Sequence, residues 1–190
     1  MKNFWKYALV GIMAICLLFS FTACDDDDDD DDDVVYCTLE DGTITNLVAS
    51  ALVSAITDNL AQSTTGYTST YSTWTPVMNS DYTSMTGLTI TVTSAYTGQV
   101  TLDGNDYYTV VIKKGSDIEV DLSSYYVEVD VDSTIDGAEA DLDLEGDAAS
   151  GTVSEFEIND TASTYDASTL LTTLVSSVTS ILNSSSTQSE

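Results

Sequence analysis

Carboxylates are the side chains that this sequence offers most plainly for chemistry. Glu128, Asp130 and Asp132 take every second position of one run, and Asp141, Asp143 and Glu145 do so in the next. Alternate residues of an extended strand share a face. The Asp136-Gly137 turn signal between the runs predicts a hairpin that lays the two triplets side by side. Like charges facing each other across strands are destabilising. A weakly bound calcium ion would relieve this, because calcium takes clustered carboxylate oxygens. Plain solvation in salty surroundings relieves it too. The calcium-loop spacing of an EF-hand does not fit: counted from Asp130, the fifth position is Thr134 and the sixth is Ile135 in place of Gly.

A second candidate set is aromatic. Tyr67, Tyr71, Trp74 and Tyr82 crowd a Ser/Thr/Tyr-rich stretch, residues 63–85, that also holds the one proline, Pro76. Tyrosine and tryptophan make flat, half-wet contact surfaces, on which a sugar ring or a partner protein can stack. The same rings also serve to cover the open edge of a core. The stretch itself is read as a long loop or an irregular edge segment.

Several chemistries are missing from the residue inventory. There is no His and no Arg, and the four bases are Lys2, Lys6, Lys113 and Lys114. Imidazole-bound zinc and Ser-His or Cys-His nucleophiles are therefore excluded, as are bidentate phosphate clamps. Val110 and Val111 stand three residues before Lys113 and Lys114, where a Ser-x-x-Lys dyad needs serine. Carboxylate-pair hydrolysis is the enzyme class least excluded. The reading is nevertheless of a non-enzyme with no cofactor.

The N-terminus gives an address. Lys2 and Lys6 precede the apolar run from Ala8 to Ala23, which ends in Phe21-Thr22-Ala23-Cys24. A basic start, an apolar core and small residues before a cut site describe a secretory signal peptide. About 16 apolar residues is short of the roughly 20 that a spanning helix needs. The four-residue end resembles the lipobox of bacterial lipoproteins, with Phe21 departing from the usual aliphatic residue. That resemblance implies that Cys24 is lipidated and becomes the first residue of the mature chain. The expected location is the bacterial cell envelope, lipid-anchored, facing the periplasm or displayed on the cell surface.

Nine aspartates follow, Asp25 to Asp33. Mutual repulsion extends such a run, so it reads as a solvated spacer. Removing residues 1–23 leaves 167 of the 190 residues, with 2 lysines against all 32 acids, a net charge of −30. Such a surface repels nucleic acid and anionic lipid headgroups, leaving the lipid on Cys24 as the membrane contact. Cys37 would then be the one thiol not accounted for, so the mature chain has no disulfide within it.

The elements that must position these residues follow from periodicity. Ile44, Leu47, Val48, Ala51, Leu52, Ala55, Ile56 and Leu60 recur at helical spacing, predicting an amphipathic helix over Thr43 to Gln62 with Thr43 as its cap. Leu170, Leu171, Leu174, Val175, Val178, Ile181 and Leu182 predict a second over Ala167 to Asn183, capped by Asp166. Between them, from Gly87 to Asp160, apolar and polar residues alternate through a series of runs. A phase change between Val153 and Phe156 predicts a bulge.

The predicted fold class is α+β: an antiparallel meander of about six to seven strands, with the N-terminal and C-terminal helices packed on its apolar face; the competing fold is a β-sandwich or barrel with peripheral helices. The predicted organisation is a signal peptide over 1–23, a lipidated cysteine and poly-Asp linker over 24–42, and one domain over 43–190. The expected role is a binding or structural one in the envelope, with a glycan or an envelope protein as partner and no nucleic acid. The alternatives are a carbohydrate-binding module built on the aromatic set, and a carrier that encloses a lipid or other apolar ligand.

Overall fold

The computed structural model describes residues 34–102, 104 and 106–186. The signal peptide, Cys24 and the aspartate run lie outside the described residues. Helix α1 spans Asp41–Thr57 and helix α2 spans Ser168–Ser186. Between them come β1 (Ala61–Ser63), β2 (Gly66–Thr68), β3 (Ser72–Met78), β4 (Met85–Val92), β5 (Tyr96–Thr101), β6 (Tyr107–Ile112) and β7 (Asp117–Asp121). Then follow β8 (Tyr126–Val131), β9 (Ser133–Ile135), β10 (Ala138–Glu139), β11 (Leu142–Asp147), β12 (Thr152–Ile158) and β13 (Thr161–Ala162).

This corrects the expected meander of six to seven strands. The thirteen strands form two antiparallel sheets, one of nine in the order β1-β2-β3-β4-β7-β8-β11-β12-β13 and one of four in the order β10-β9-β6-β5. The protein is mostly β. The reason lies in where strands leave the large sheet. β4 runs on into β5, β6 into β7, β8 into β9 and β10 into β11, so the hairpins β5–β6 and β9–β10 belong to the small sheet.

Such a corner takes backbone groups out of the ladder, and buried ones need new partners. Two fully buried serines supply them. Ser116 Oγ donates to the Lys113 and Asp132 carbonyls (3.0 and 3.2 Å) and accepts from the Asp132 N–H at 3.1 Å. Ser133 Oγ donates to the Ala140 carbonyl at 2.5 Å.

The first helix carries the expected apolar stripe: Ile44, Leu47, Val48, Ala51, Leu52, Ala55 and Ile56 are buried, as are Gly42, Thr43, Thr45 and Val53 beside them. Asn46, Ala49, Ser50, Ser54 and Thr57 make its half-buried side. α1 packs against β5, β6 and β9 of the small sheet and β3 and β4 of the large one. It spans Asp41–Thr57 rather than Thr43 to Gln62, with Glu40 in place of Thr43 as its cap position and no side-chain cap bond, and Ala61 and Gln62 belong to β1. α2 is one-sided: Leu171, Leu174 and Val178 are buried and the helix packs against β11 and β12, while Thr169, Thr172, Ser176 and Ser180 are exposed. Asp166 Oδ1 accepts the Ser168 N–H at 3.0 Å, as a capping side chain does.

The stretch expected to be a loop or an irregular edge segment, residues 63–85, instead contributes β2 and β3. Pro76 sits within β3 opposite Leu88 of β4, and on its other side β2 pairs only as far as Trp74. Proline, lacking an N–H, fits where one neighbour has ended. The segment 34–40 is not a spacer either. Tyr36 bridges Glu139 in parallel, and Cys37 and Leu39 are buried in the core.

Candidate functional site

Sheet order decides which carboxylates meet. β7, β8, β11 and β12 are consecutive neighbours, and each carries acids at alternate positions. Their register places Glu119 opposite Glu128, Glu128 opposite Glu145, and Glu145 opposite Glu155. One step along, Asp117 faces Asp130, Asp130 faces Asp143, and Asp143 faces Glu157. The outer face of the large sheet thus carries two parallel rows of four carboxylates. The inner side of the same strands is apolar and buried: Ile118, Val120, Val127, Val129, Leu142, Leu144 and Phe156.

Side chains directly opposite in a sheet stand about 5 Å apart at Cβ. Two unit charges at that distance repel by about 1 kcal/mol in water, less in salt. The strain shows in the titration of the face. Asp143 is half-buried, and its carboxyl is pushed up from 3.8 to about 6, first by burial and then by Asp130, Asp160, Glu157 and Asp141. Burial and the acids around them also raise Asp117 and Glu128 above the ordinary range.

Of the six acids expected to cluster, the structure brings four into the rows: Glu128, Asp130, Asp143 and Glu145. Asp132 and Asp141 sit at the corner between the sheets. Asp141 Oδ1 accepts the Ser133 N–H at 2.8 Å, and its own N–H donates to Asn159 Oδ1 at 2.9 Å. Lys113 is ion-paired with Glu139, and its pKa is raised first by that hydrogen bond and then by the charges of Asp141, Glu139 and Asp132.

The sequence reading missed Asp117, Glu119, Glu155, Glu157 and Asp160. Their alternation with apolar residues was visible, but which strands flank β8 and β11 was not. Oxygens of Asp143, Glu157 and Asp160 lie within 4.8 Å of one another, a spacing at which one divalent cation can touch all three.

One end of the face is arranged differently. Asp121 Oδ1 accepts the N–H and hydroxyl of Ser123 at 2.7 and 2.6 Å, which hold its carboxyl down at about 2. Tyr126 donates to Glu145 Oε2 at 2.5 Å. Asp121, Ser123 and Tyr126 border a shallow depression of about 280 Å³, along with Val77, Thr86, Leu88, Glu119 and Glu128.

The aromatic set does not form one platform. Trp74 is 1% exposed, and its indole N–H donates to the Ile56 carbonyl at 3.1 Å. Tyr67 packs on it, with ring centroids 5.9 Å apart. Tyr71 meets Tyr96 edge-on at 5.2 Å. Tyr82 stands apart at the β3–β4 turn, 81% exposed. Three of the four rings are tied to neighbouring rings, and the tryptophan belongs to the core.

Chemically, the acidic face is a fixed array of hydrogen-bond acceptors and negative charge. It attracts cations and basic groups and repels phosphates. Among the described residues, no helix is long and apolar enough to cross a membrane. Comparison with known proteins found no matching family model, no matching curated protein and no matching solved structure.

Proposed function

We propose that this chain is a lipid-anchored acidic lipoprotein of the bacterial cell envelope, with a binding or structural role rather than an enzymatic one. The double carboxylate row carries the reading of the domain. It is broad, solvent-facing and rigidly spaced by the ladder, which suits electrostatic contact with a cationic or basic surface. The junction at Cys24 carries the reading of the anchor. Diacylglyceryl and N-acyl chains together exceed the two-signal requirement for stable anchoring, at about 0.8 kcal/mol per buried CH₂.

Two measurements test it. Cys24→Ser is expected to move the protein from the membrane fraction to the soluble one. A variant that stays on the membrane while still losing its N-terminus would end the lipid reading. The released wild-type domain surface is then offered to isolated envelopes beside Glu128→Gln/Glu145→Gln. Salt-sensitive binding, weakened at least several-fold by the two neutral substitutions, supports the contact role. Binding indifferent to both salt and substitution removes it.

A further inference from the structure

A β-sheet edge is a row of unpaired backbone donors and acceptors, and proteins normally keep such edges short, charged or covered. Three of the four edges here are treated so. β1 is three residues long and β13 two. β10 is two residues long and is covered by the N-terminal segment: the Cys37 N–H donates to the Glu139 carbonyl and the Glu139 N–H to the Val35 carbonyl, both at 2.8 Å. The fourth edge, β5, is six residues long and ends the small sheet. From Thr93 to Leu102 the chain carries no charged residue.

The ladder identifies which β5 groups point outward. Thr109 on β6 directs both its backbone groups away from β5: its N–H donates to Asp136 Oδ1 at 2.7 Å, and its carbonyl accepts the Asp136 N–H at 2.8 Å. In an antiparallel ladder the N–H and C=O of one residue point the same way, and the direction alternates along the strand. Val110 therefore bonds Gly98, its register partner, and likewise Ile112 bonds Tyr96 and Tyr108 bonds Val100. The N–H and C=O groups of Thr97, Gln99 and Thr101 face the outer edge, where no strand pairs with them among the described residues. Their side chains are exposed as well, whereas Tyr96, Gly98 and Val100 are half-buried toward the core.

We propose that β5 is a self-association edge, at which a second copy of this chain adds its own β5 antiparallel about a two-fold axis through Gln99. The edge-facing residues read Thr-Gln-Thr in both directions. Antiparallel pairing in this register sets Gln99 opposite Gln99 of the second copy and Thr97 opposite its Thr101, using every outward donor and acceptor. Threonine pairs across strands are favourable. Charge selects the same arrangement. In a chain of net charge −28, this edge lets two copies meet without setting carboxylate against carboxylate, because the acid rows lie on β7, β8, β11 and β12 of the other sheet. The small sheets then fuse into one continuous sheet across an isologous interface.

The test is cysteine crosslinking of the full-length chain in intact cells. Residues of a hydrogen-bonded antiparallel pair have Cα atoms about 5.5 Å apart, within disulfide reach. Gln99→Cys is expected to give a band at twice the chain mass on a non-reducing gel under mild oxidation. Ser150→Cys, on the exposed β11–β12 turn, is the control expected to stay single. The purified full chain in non-ionic detergent is then weighed by light scattering beside Gln99→Pro. That substitution removes only an outward N–H, so it leaves the β5–β6 ladder intact and its circular dichroism unchanged. Wild-type dimer that tightens as salt rises, with Gln99→Pro at least tenfold weaker, supports the proposal. It is overturned by a wild-type monomer at every concentration, which leaves the edge vacant or to another protein. It is equally overturned by a dimer that survives Gln99→Pro, or by Ser150→Cys crosslinking as well as Gln99→Cys.

Discussion

Replacing Asp143 with asparagine should stabilise this protein at neutral pH and do nothing below about pH 4. Asp143 stands mid-row, with Asp130 on one side, Glu157 on the other and Asp160 nearby. Its carboxyl titrates at about 6 in the fold and at 3.8 outside it. A raised carboxyl pKa means that the folded state holds its proton longer. The folded protein is therefore favoured while the group is neutral and loses stability as pH rises from 3.8 through about 6. Taken at face value, two pKa units correspond to about 3 kcal/mol. The side chain is only half-buried and its neighbours are screened by water and salt, so about 1 kcal/mol is the working figure. For a domain of this size that moves the melting temperature by about 3 °C.

The assay is thermal unfolding followed by circular dichroism between pH 4 and pH 8, in chelator to keep divalent ions away. Wild type should lose stability across pH 4–6.5, with Asp117 and Glu128, also raised, steepening the fall. Asp143→Asn should flatten part of that slope, and about 1 M salt should shrink the difference between the two proteins. A less stable Asp143→Asn at pH 7.5 would refute the reasoning. The carboxylate would then be a satisfied partner rather than one penalised by burial and by its acidic neighbours.

Two further outcomes probe the core and the bulge. The Ile56 carbonyl accepts both the Trp74 indole N–H and the Ser72 hydroxyl, at 3.1 and 3.0 Å. Trp74→Phe should cost about 2–3 kcal/mol in urea unfolding. Combining it with Ser72→Ala should cost about 1 kcal/mol beyond the sum of the two, because the carbonyl then loses both side-chain donors. Gly146 sits where β12 bulges at Ser154, and a Cβ there would lie 2.3 Å from Leu171 Cδ1 and 2.5 Å from the Thr152 carbonyl oxygen. Gly146→Ala should cost about 2–3 kcal/mol, read as a lower urea midpoint at unchanged slope; a neutral result would mean that α2 does not rest on β11 at this point.

Local chemistry was legible wherever a residue's neighbours along the chain determine its conformation. The Asp136-Gly137 turn is present, with both residues at positive φ (49° and 90°). Asp166 caps α2, and the bulge falls at Ser154 between Val153 and Phe156. Alternation in β7, β8 and β11 was read correctly from single strands, with apolar residues buried and acids outward. β2 (Gly-Tyr-Thr) and β3 (Ser-Thr-Trp-Thr-Pro-Val-Met) are not legible as strands, because β2 is three residues long and β3 mixes hydroxylic residues with a proline. With little apolar contrast, no period of two appears. The apolar stripe of α1 is legible, and Gly42, Thr43 and Thr45, small or hydroxylic residues that look polar in a sequence, are buried beside it. In the fold Thr45 turns its hydroxyl back onto the Asp41 carbonyl at 2.6 Å, which lets it be buried.

Composition by itself determined what this protein lacks, imidazole and guanidinium, and how far its 32 acids outnumber its four lysines. It also determined which side of each acidic strand faces water, because a period of two is a local property. Only the tertiary structure decided which strands are neighbours, and so which acids confront each other and which edge stays open. Backbone hydrogen bonds are the same for every residue, so a strand does not name its partner. Here that choice is made at the corners, where Ser116 and Ser133 satisfy the backbone groups freed as hairpins leave one sheet for the other. Departure of those hairpins brings β7 beside β4 and β11 beside β8, building the double carboxylate row from four separate runs and leaving neutral β5 at the rim.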